Sequence, residues 1–437
     1  MPIFLESLLA QSARTADHPC ADCLDRPAPI ERRRIVAPRP VAFWLVAGLL
    51  AIVMLGTTLP TPLYVLYQAQ WHFSAAIITL IFAVYAVGVL VALLLAGHLS
   101  DQVGRKPVLA TALGLSALST VVFIVTPDLA WLFVGRILSG LSAGLMIGAA
   151  TATLTELAGP GVSRRASLVA PVVNTAGLGL GPLIAGLIAA FAADPTVVVF
   201  AVYLVTLAIA APGLALIPET VPARRRPALH FNGLQFPPSG RREFIAAGVA
   251  AFAAFSLLGL FTALTSTFLT REMHQSNFAV SGATVFLIFA ASAVTQLLLA
   301  RYPSRPVVLM GLGLFPIGLA SIVAGIATAS LTLFLMGAVV GGAAVGAVFM
   351  GSLATASRLA PAENRGTIVS TYFVFPYVGL SIPVIGVGFA SDYVGDLYAM
   401  FAFAIVLVFL CAFSVAGIWT ASGEPGAAQH RAQRRVA

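Results

Sequence analysis

Residues 97–106 read Gly-His-Leu-Ser-Asp-Gln-Val-Gly-Arg-Lys and separate two apolar runs, at about 75–98 and 107–126. Each run is long enough for an α-helix to cross the hydrocarbon core of a bilayer, which takes about 20 apolar residues. A chain crosses lipid in this way only when its backbone hydrogen bonds are satisfied internally, as they are in a helix. The segment therefore predicts a short polar loop between two transmembrane helices.

The rest of the chain repeats this pattern. Of its 437 residues, 59% are hydrophobic and 9% are charged, whereas a soluble domain has about 25% charged residues. The apolar runs lie at about 43–66, 75–98, 107–126, 129–155, 167–192, 196–217, 243–269, 278–300, 306–327, 330–356, 367–390 and 397–420. Twelve such runs predict an all-α polytopic membrane protein with twelve transmembrane helices.

A polar gap at 219–242, rich in arginine and proline, divides the runs into two sets of six. Residues 165–186 align with residues 365–386 at an offset of 200, including Gly186 with Gly386. Parallel six-helix repeats are a transporter architecture with the substrate site between them. We expect two pseudo-symmetric six-helix bundles, and the predicted divisions are a tail at 1–40, a bundle at 41–218, a linker at 219–242, a bundle at 243–420 and a tail at 421–437.

Basic residues predict the orientation. They concentrate in the tails, in the linker and in alternate loops, whereas the other loops carry the acids Asp128, Asp194, Asp392 and Asp396 with Arg271 as their one basic residue. Because Lys and Arg favour cytoplasmic loops, both termini and the linker are predicted to be cytoplasmic, in the cell's inner or plasma membrane. The formal net charge of +8 therefore reflects orientation, and we expect no nucleic-acid partner.

The loop at 97–106 contains residues with distinct physical roles. Gly97 lets a neighbouring helix approach closely, and Gly104 permits a tight reversal of the chain. Asp101 can accept hydrogen bonds from amides at a helix start or pair with an arginine. Arg105 and Lys106 can hold the loop against an anionic membrane surface. An ordinary basic loop would share only this last property.

The complete pattern resembles the signature loop of the major facilitator superfamily, Gly-x-Leu-x-Asp-x-x-Gly-Arg-Lys, so we call residues 97–106 the gating loop. The resemblance implies the major facilitator fold and alternating-access transport of a small molecule. It also implies that Asp101 grips the start of the eleventh helix, near residues 365–367, when the cytoplasmic side is closed. Arg105 is expected to pair with Glu156 at the end of the fourth helix, as part of a charge relay.

The fourth helix carries a charged residue within its span, in Arg136-Ile-Leu-Ser-Gly140. This sequence resembles the Arg-x-x-x-Gly motif of proton-driven carriers in the family. An arginine at this depth costs about 2.5–3.5 kcal/mol on insertion scales, so it needs a polar environment. Arg136 is predicted to face a wet cavity and to take part in coupling; the alternative is a structural arginine bonded to backbone carbonyls.

The fifth helix contains Gly177, Gly181, Pro182 and Gly186 in the order of the family's antiporter signature, Gly-x-x-x-Gly-Pro-x-x-Gly-Gly, with Ala185 in place of one glycine. This resemblance implies an exporter of the twelve-helix drug:proton antiporter group. The alternative is simple packing against the eighth helix, because small residues allow helices to approach closely.

Hydroxyl and amide groups within the spans are candidates for a substrate cavity, namely Tyr64, Asn174, Gln296 and Tyr372. Such groups orient ligands in apolar pockets, although in helix bundles they more often join helices to each other. No span holds an acid at mid-membrane, which favours a neutral or anionic amphiphile over a cation. We expect export of a drug or metabolite in exchange for protons; the alternative is proton-coupled or facilitative import of a sugar or organic acid.

The sequence lacks the motifs that would indicate ATP hydrolysis, zinc proteolysis, a nucleophile elbow or a zinc site. Neither a Walker sequence nor His-Glu-x-x-His is present, and Gly-x-Ser-x-Gly at 140–144 lies inside a helix, where a nucleophile elbow cannot form. Cys20 and Cys23 form a single pair, whereas a zinc site needs about four ligands. The sequence therefore predicts a monomeric non-enzyme with no cofactor and no metal, whose partners are the small-molecule substrate, protons and the lipid bilayer.

Overall fold

The apolar runs form helices throughout the described chain. The computed structural model describes residues 36–96, 99–159, 163–221 and 233–420, and these residues contain helices and turns but no strand. Twelve of the helices in these ranges are long and apolar enough to cross a membrane. They are α1 (Arg39–Thr58, continued as Tyr64–Trp71), α2 (Ala75–Ala96), α3 (Arg105–Val125), α4 (Leu129–Ala158), α5 (Ser163–Phe191), α6 (Pro195–Leu216), α7 (Arg241–Arg271), α8 (Phe278–Leu299), α9 (Ser304–Ala327), α10 (Leu331–Leu359), α11 (Arg365–Val394) and α12 (Asp396–Thr420).

Successive helices place the loops at two opposite ends of the bundle, which we name by their charges. The basic end carries Arg105, Lys106, Arg358 and Arg365, where α3, α10 and α11 begin or end. The acidic end carries Asp128, Asp194, Asp392 and Asp396 at the termini of α4, α6, α11 and α12. The predicted fold of two pseudo-symmetric six-helix bundles is confirmed.

The first span is longer than predicted and is broken in the middle. Its first helix ends at Thr58, a 3₁₀ turn covers Thr61–Leu63, and a second helix continues to Trp71. Pro60 and Pro62 cause the break, because proline lacks the amide hydrogen that would continue the helical hydrogen bonds. The break leaves backbone carbonyls of α1 available to side chains of neighbouring helices.

The gating loop folds into one short helix and a sharp turn. The helix covers Leu99–Val103, and α3 starts at Arg105. Between them Gly104 has a φ of 105°, in the left-handed half of the Ramachandran plot that favours glycine. Gly97 lies outside the described residues, so its expected close approach to a neighbouring helix stays a prediction.

Two pairs of helices join the first six spans to the last six. α5 packs along α8, and α2 packs along α11. Near the acidic end the backbone of α5 at Gly186 faces Gly282 of α8, and Thr79 of α2 faces Gly388 of α11. The described helices therefore meet closely at the acidic end, and a cavity separates them toward the basic end.

Candidate functional site

The cavity has a volume of about 1080 Å³ and is lined by both sets of six helices. It extends from Leu50 and Thr58 in the middle of α1 to Asp101 and Arg365 at the basic end. Its inner wall is mainly aliphatic and aromatic. The charged residues among the described lining residues are Asp101, Arg105, Glu156, Glu363 and Arg365. A ligand that enters from the basic end therefore passes a charged rim before it reaches an uncharged interior.

Arg105 is the centre of the charged cluster on the rim. Its buried guanidinium donates to Glu156 from Nε at 3.2 Å and from Nη2 at 2.7 Å. Nη1 donates to Ser100 Oγ at 2.5 Å, and Nη2 lies 2.5 Å from the Asp101 carboxylate. The structure therefore brings together Arg105 and Glu156, the pair that the resemblance implied for the charge relay.

Asp101 occupies an open position on this rim. Its side chain is 53% exposed, compared with 9% for Arg105. Arg365, Gly366 and Thr367, where the resemblance places the target of Asp101, line the same cavity at its basic end. In this conformation the carboxylate of Asp101 pairs with Arg105 inside its own loop.

Glu219 completes the cluster and was missed by the sequence analysis, which assigned it to the linker. Its Oε1 accepts a hydrogen bond from the amide of Arg105 at 2.7 Å, and its Oε2 accepts one from the amide of Lys106 at 3.1 Å. The carboxylate thus caps the start of α3, where the helix dipole favours negative charge. Thr220 donates to Glu156, and Lys106 Nζ donates to the carbonyl of Ala215 at 2.6 Å. These hydrogen bonds connect the end of α6 and the residues after it to the start of α3.

Arg136 does not line the cavity. It is fully buried, and its Nη1 donates to the carbonyl of Thr57 at 2.5 Å while its Nε donates to Tyr64 Oη at 2.6 Å. This carbonyl lies at the break in α1, so the cation also faces the negative end of a helix dipole. Arg136 is therefore held by a backbone carbonyl and a tyrosine hydroxyl inside the protein. This position agrees with the alternative prediction of a structural arginine and differs from the expected position facing a wet cavity.

Aromatic rings stand between Arg136 and the cavity. The Tyr85 and Phe82 ring centroids are 5.8 Å and 6.0 Å from the guanidinium carbon, and both side chains line the cavity. The charge of Arg136 therefore acts on the cavity through its aromatic wall.

The glycines of the antiporter-like motif pack on two sides of α5. A Cβ at Gly177 or Gly181 would collide with the backbone of α1, and one at Gly186 would collide with the backbone of α8. The carbonyl of Pro182 meets Gly282 of α8 in the same way. One face of α5 thus packs against α8, as the alternative interpretation of the motif predicted. Another face of α5 packs against α1.

The four candidate cavity groups fall into two classes. Tyr64 bonds to Arg136, and the buried Tyr372 hydroxyl lies 2.7 Å from Ser352 Oγ; both join helices to each other. Asn174 and Gln296 line the cavity. Cys20 and Cys23 lie outside the described residues, and the described chain contains no group of three or more His, Cys, Asp or Glu residues suited to a metal ion.

Similarity to known proteins identifies the family of this chain. The profile described as Major Facilitator Superfamily matches residues 46–302. Solute carrier family 22 member 2 of Rattus norvegicus is 33% identical over 98 residues, which cover 22% of this chain and 17% of that protein. The Mus musculus protein of the same name is 29% identical over 127 residues, which cover 28% of this chain and 21% of that protein. The matched segments thus span about a fifth of these relatives.

Solved structures share the fold at low sequence identity. The human organic anion transporter MFSD10 (TETRAN) superposes with a TM-score of 0.65 at 20% identity, covering 86% of this chain and 100% of that one. A bacterial homolog to the human lysosomal transporter Spinster, in an inward-facing and unoccupied conformation, gives a TM-score of 0.65 at 17% identity, covering 87% and 97%. With the family match over more than half of its length, this chain is a multi-pass membrane protein that belongs to the major facilitator superfamily of transporters.

Proposed function

We propose that the protein is a monomeric secondary active transporter of the cell's inner membrane, which exports a small amphiphilic drug or metabolite in exchange for protons. The observation that carries the proposal is the cavity of about 1080 Å³ between the two sets of six helices. A central cavity that reaches one end of the bundle and is closed at the other is what alternating access requires.

The closure at the acidic end supports this proposal. Gly186 and Gly282 bring the backbones of α5 and α8 together, and Gly388 packs against Thr79. The amide of Ala76 donates to Asp392 at 3.4 Å, so the start of α2 also contacts the end of α11. These contacts join the two sets of helices and must separate before the cavity can open at the acidic end.

The distribution of charge supports an orientation for this state. With the basic end in the cytoplasm, as the positive-inside rule favours, the cavity opens inward. Residues 41–218 and 243–420 then rock as two bundles joined by the linker at 219–242. Closing the basic end would bring Asp101 toward the start of α11, where its carboxylate would act as a charged latch at a helix N-terminus.

The choice of export and of proton exchange rests on the motif at Gly177–Gly186. Asp101 and Glu156 are the proposed proton-carrying groups, because both are acids on the cavity rim. The fold shared with a human organic anion transporter is compatible with a cargo that is anionic or neutral. Proton-coupled or facilitative import of a small metabolite, such as a sugar or organic acid, is the alternative for the same cavity.

Membrane vesicles of both orientations test the proposal. Inside-out vesicles that contain the protein should accumulate an amphiphilic compound when energised, and a protonophore should abolish the accumulation. Accumulation only in right-side-out vesicles would replace export with the alternative of import. If neither orientation moves any compound of a broad library faster than vesicles without the protein, both assignments fail.

A further inference from the structure

Two amide oxygens on the cavity wall have no hydrogen-bond partner within the described chain. They are Oε1 of Gln296 in α8 and Oδ1 of Asn174 in α5. Gln296 is 1% exposed, and its Nε2 donates to Thr175 Oγ1 at 3.2 Å and to Ser292 Oγ at 3.3 Å. The amide nitrogen is therefore satisfied and the oxygen is not. Buried acceptors in proteins are nearly always paired, so an unpaired one on a cavity wall indicates a place for a donor.

The two oxygens belong to one region of the wall although they come from different sets of six helices. Asn174 precedes Thr175, the residue to which Gln296 donates across the α5–α8 contact. Leu178 and Phe289 of the same two helices also line the cavity. This region thus combines two acceptors with an apolar surface, the usual composition of a site for a small ligand.

A negatively charged group is disfavoured at this part of the wall. An anion would face the negative ends of two amide dipoles. A neutral hydroxyl or amide N–H group donates to such an oxygen without that repulsion.

We infer that Gln296 and Asn174 read the substrate by accepting hydrogen bonds from its uncharged hydroxyl or amide N–H groups, while its apolar body packs against Phe289 and Leu178. The inference rests on the proposed function and names the substrate class of the same cavity. A substrate with such a donor would contact α5 and α8 together and so would bridge the two bundles.

Matched aromatic pairs test the inference. Equilibrium dialysis of the purified full-length protein, with empty micelles as the blank, measures binding of 4-phenylphenol and 2-naphthol against their methyl ethers. The phenols should bind about tenfold more tightly than the ethers, because the ethers cannot donate to a buried acceptor. Biphenyl-4-carboxylate and a trimethylammonium biphenyl should bind less tightly than 4-phenylphenol, because neither has an N–H or O–H group to donate.

Two variants assign the preference to the named oxygens. Gln296→Leu and Asn174→Leu should each reduce the preference for phenols severalfold, whereas Gln70→Leu, at an exposed position near the acidic end, should retain it. If Gln296→Leu yields no folded protein, Asn174→Leu carries the same test. No preference for phenols in the wild type, including the case of no binding, overturns the inference, as does an unchanged preference in the variants.

The outcome is separable from that of the proposed function because dialysis uses no gradient and no direction. Vesicle transport without any preference for donors would overturn this inference alone. A preference for donors that depends on Gln296, in a protein that moves no compound in vesicles, would overturn the proposed function alone.

Discussion

Asp101→Asn separates the stability of the gating loop from its proposed part in transport. The Asp101 side chain is 53% exposed, and its partner Arg105 is four residues further along the chain. Exposed pairs at this spacing contribute about 0.3–0.5 kcal/mol. Arg105 keeps its bonds to Glu156 and Ser100 in the variant. The free energy of unfolding should therefore fall by less than about 1 kcal/mol, which shifts Tm by at most about 2 °C in a chain of this size.

The effect on transport should be much larger. If Asp101 latches the start of α11 when the basic end closes, the lost interaction of a carboxylate with a helix N-terminus is about 1–2 kcal/mol. The closed state would then become about 5- to 30-fold rarer, and exchange would slow by a similar factor. Substrate counterflow in proteoliposomes measures this rate, and thermal unfolding of the same preparation measures stability.

Asp194→Asn is the matched control, because Asp194 is an exposed acid at the acidic end. It should leave both the exchange rate and Tm within error of the wild type. Wild-type exchange in Asp101→Asn would refute the latch. A large decrease in the Tm of Asp101→Asn would instead refute the expectation that the Asp101–Arg105 pair contributes little to stability.

Further substitutions probe other parts of the site. Gly186→Ala should slow counterflow because a Cβ there collides with α8, whereas Gly386→Ala, with nothing within 4 Å, should not. Glu219→Ala should lower the free energy of unfolding by about 1–2 kcal/mol because α3 loses its cap, and Glu219→Gln should have an intermediate effect. Equal Tm values for the wild type and both variants would show that Glu219 does not stabilise α3 as a cap. Arg136→Met should destabilise by over about 2 kcal/mol because buried acceptors lose their donor; a wild-type melting curve would refute the structural role. Burial, then the neighbouring Asp396, raises the pKa of Glu272 above its ordinary value. Stability should therefore decline as pH rises from the ordinary pKa of a glutamate to that raised pKa, and Glu272→Gln should remove this decline in Tm.

The spans could be predicted from the sequence because lipid selects them by hydropathy and length alone. Predicted boundaries agree with the helices to within about four residues, except at the end of α1. There the run at 43–66 stops five residues before Trp71, since the second part of α1 contains the polar residues Gln68 and Gln70. Pro60 and Pro62 do indicate the break in α1. No feature of the sequence around them indicates that Arg136 of α4 would donate a hydrogen bond to the Thr57 carbonyl there.

The cavity wall could be predicted only by residue type. Tyr64 and Tyr372 resemble Asn174 and Gln296 as polar groups in apolar spans, yet only the second pair lines the cavity. Which side of a helix faces the cavity depends on how helices from distant parts of the chain pack around it. Glu219 shows the same limit, because its partner Arg105 is 114 residues away and no local periodicity connects them.

The seam between α5 and α8 has a further consequence for the proposed opening and closing of the cavity. At Gly186 and Gly282 the two helices touch through backbone atoms, with no side chain from either glycine. Ordering a long side chain costs up to about 2 kcal/mol of conformational entropy, whereas glycine has no rotamers to lose. At this point of the seam, closure therefore leaves no glycine side chain to order, and opening separates backbone atoms only. In the proposed cycle, a contact of this kind can form and separate without the entropic cost of ordering side chains at that position.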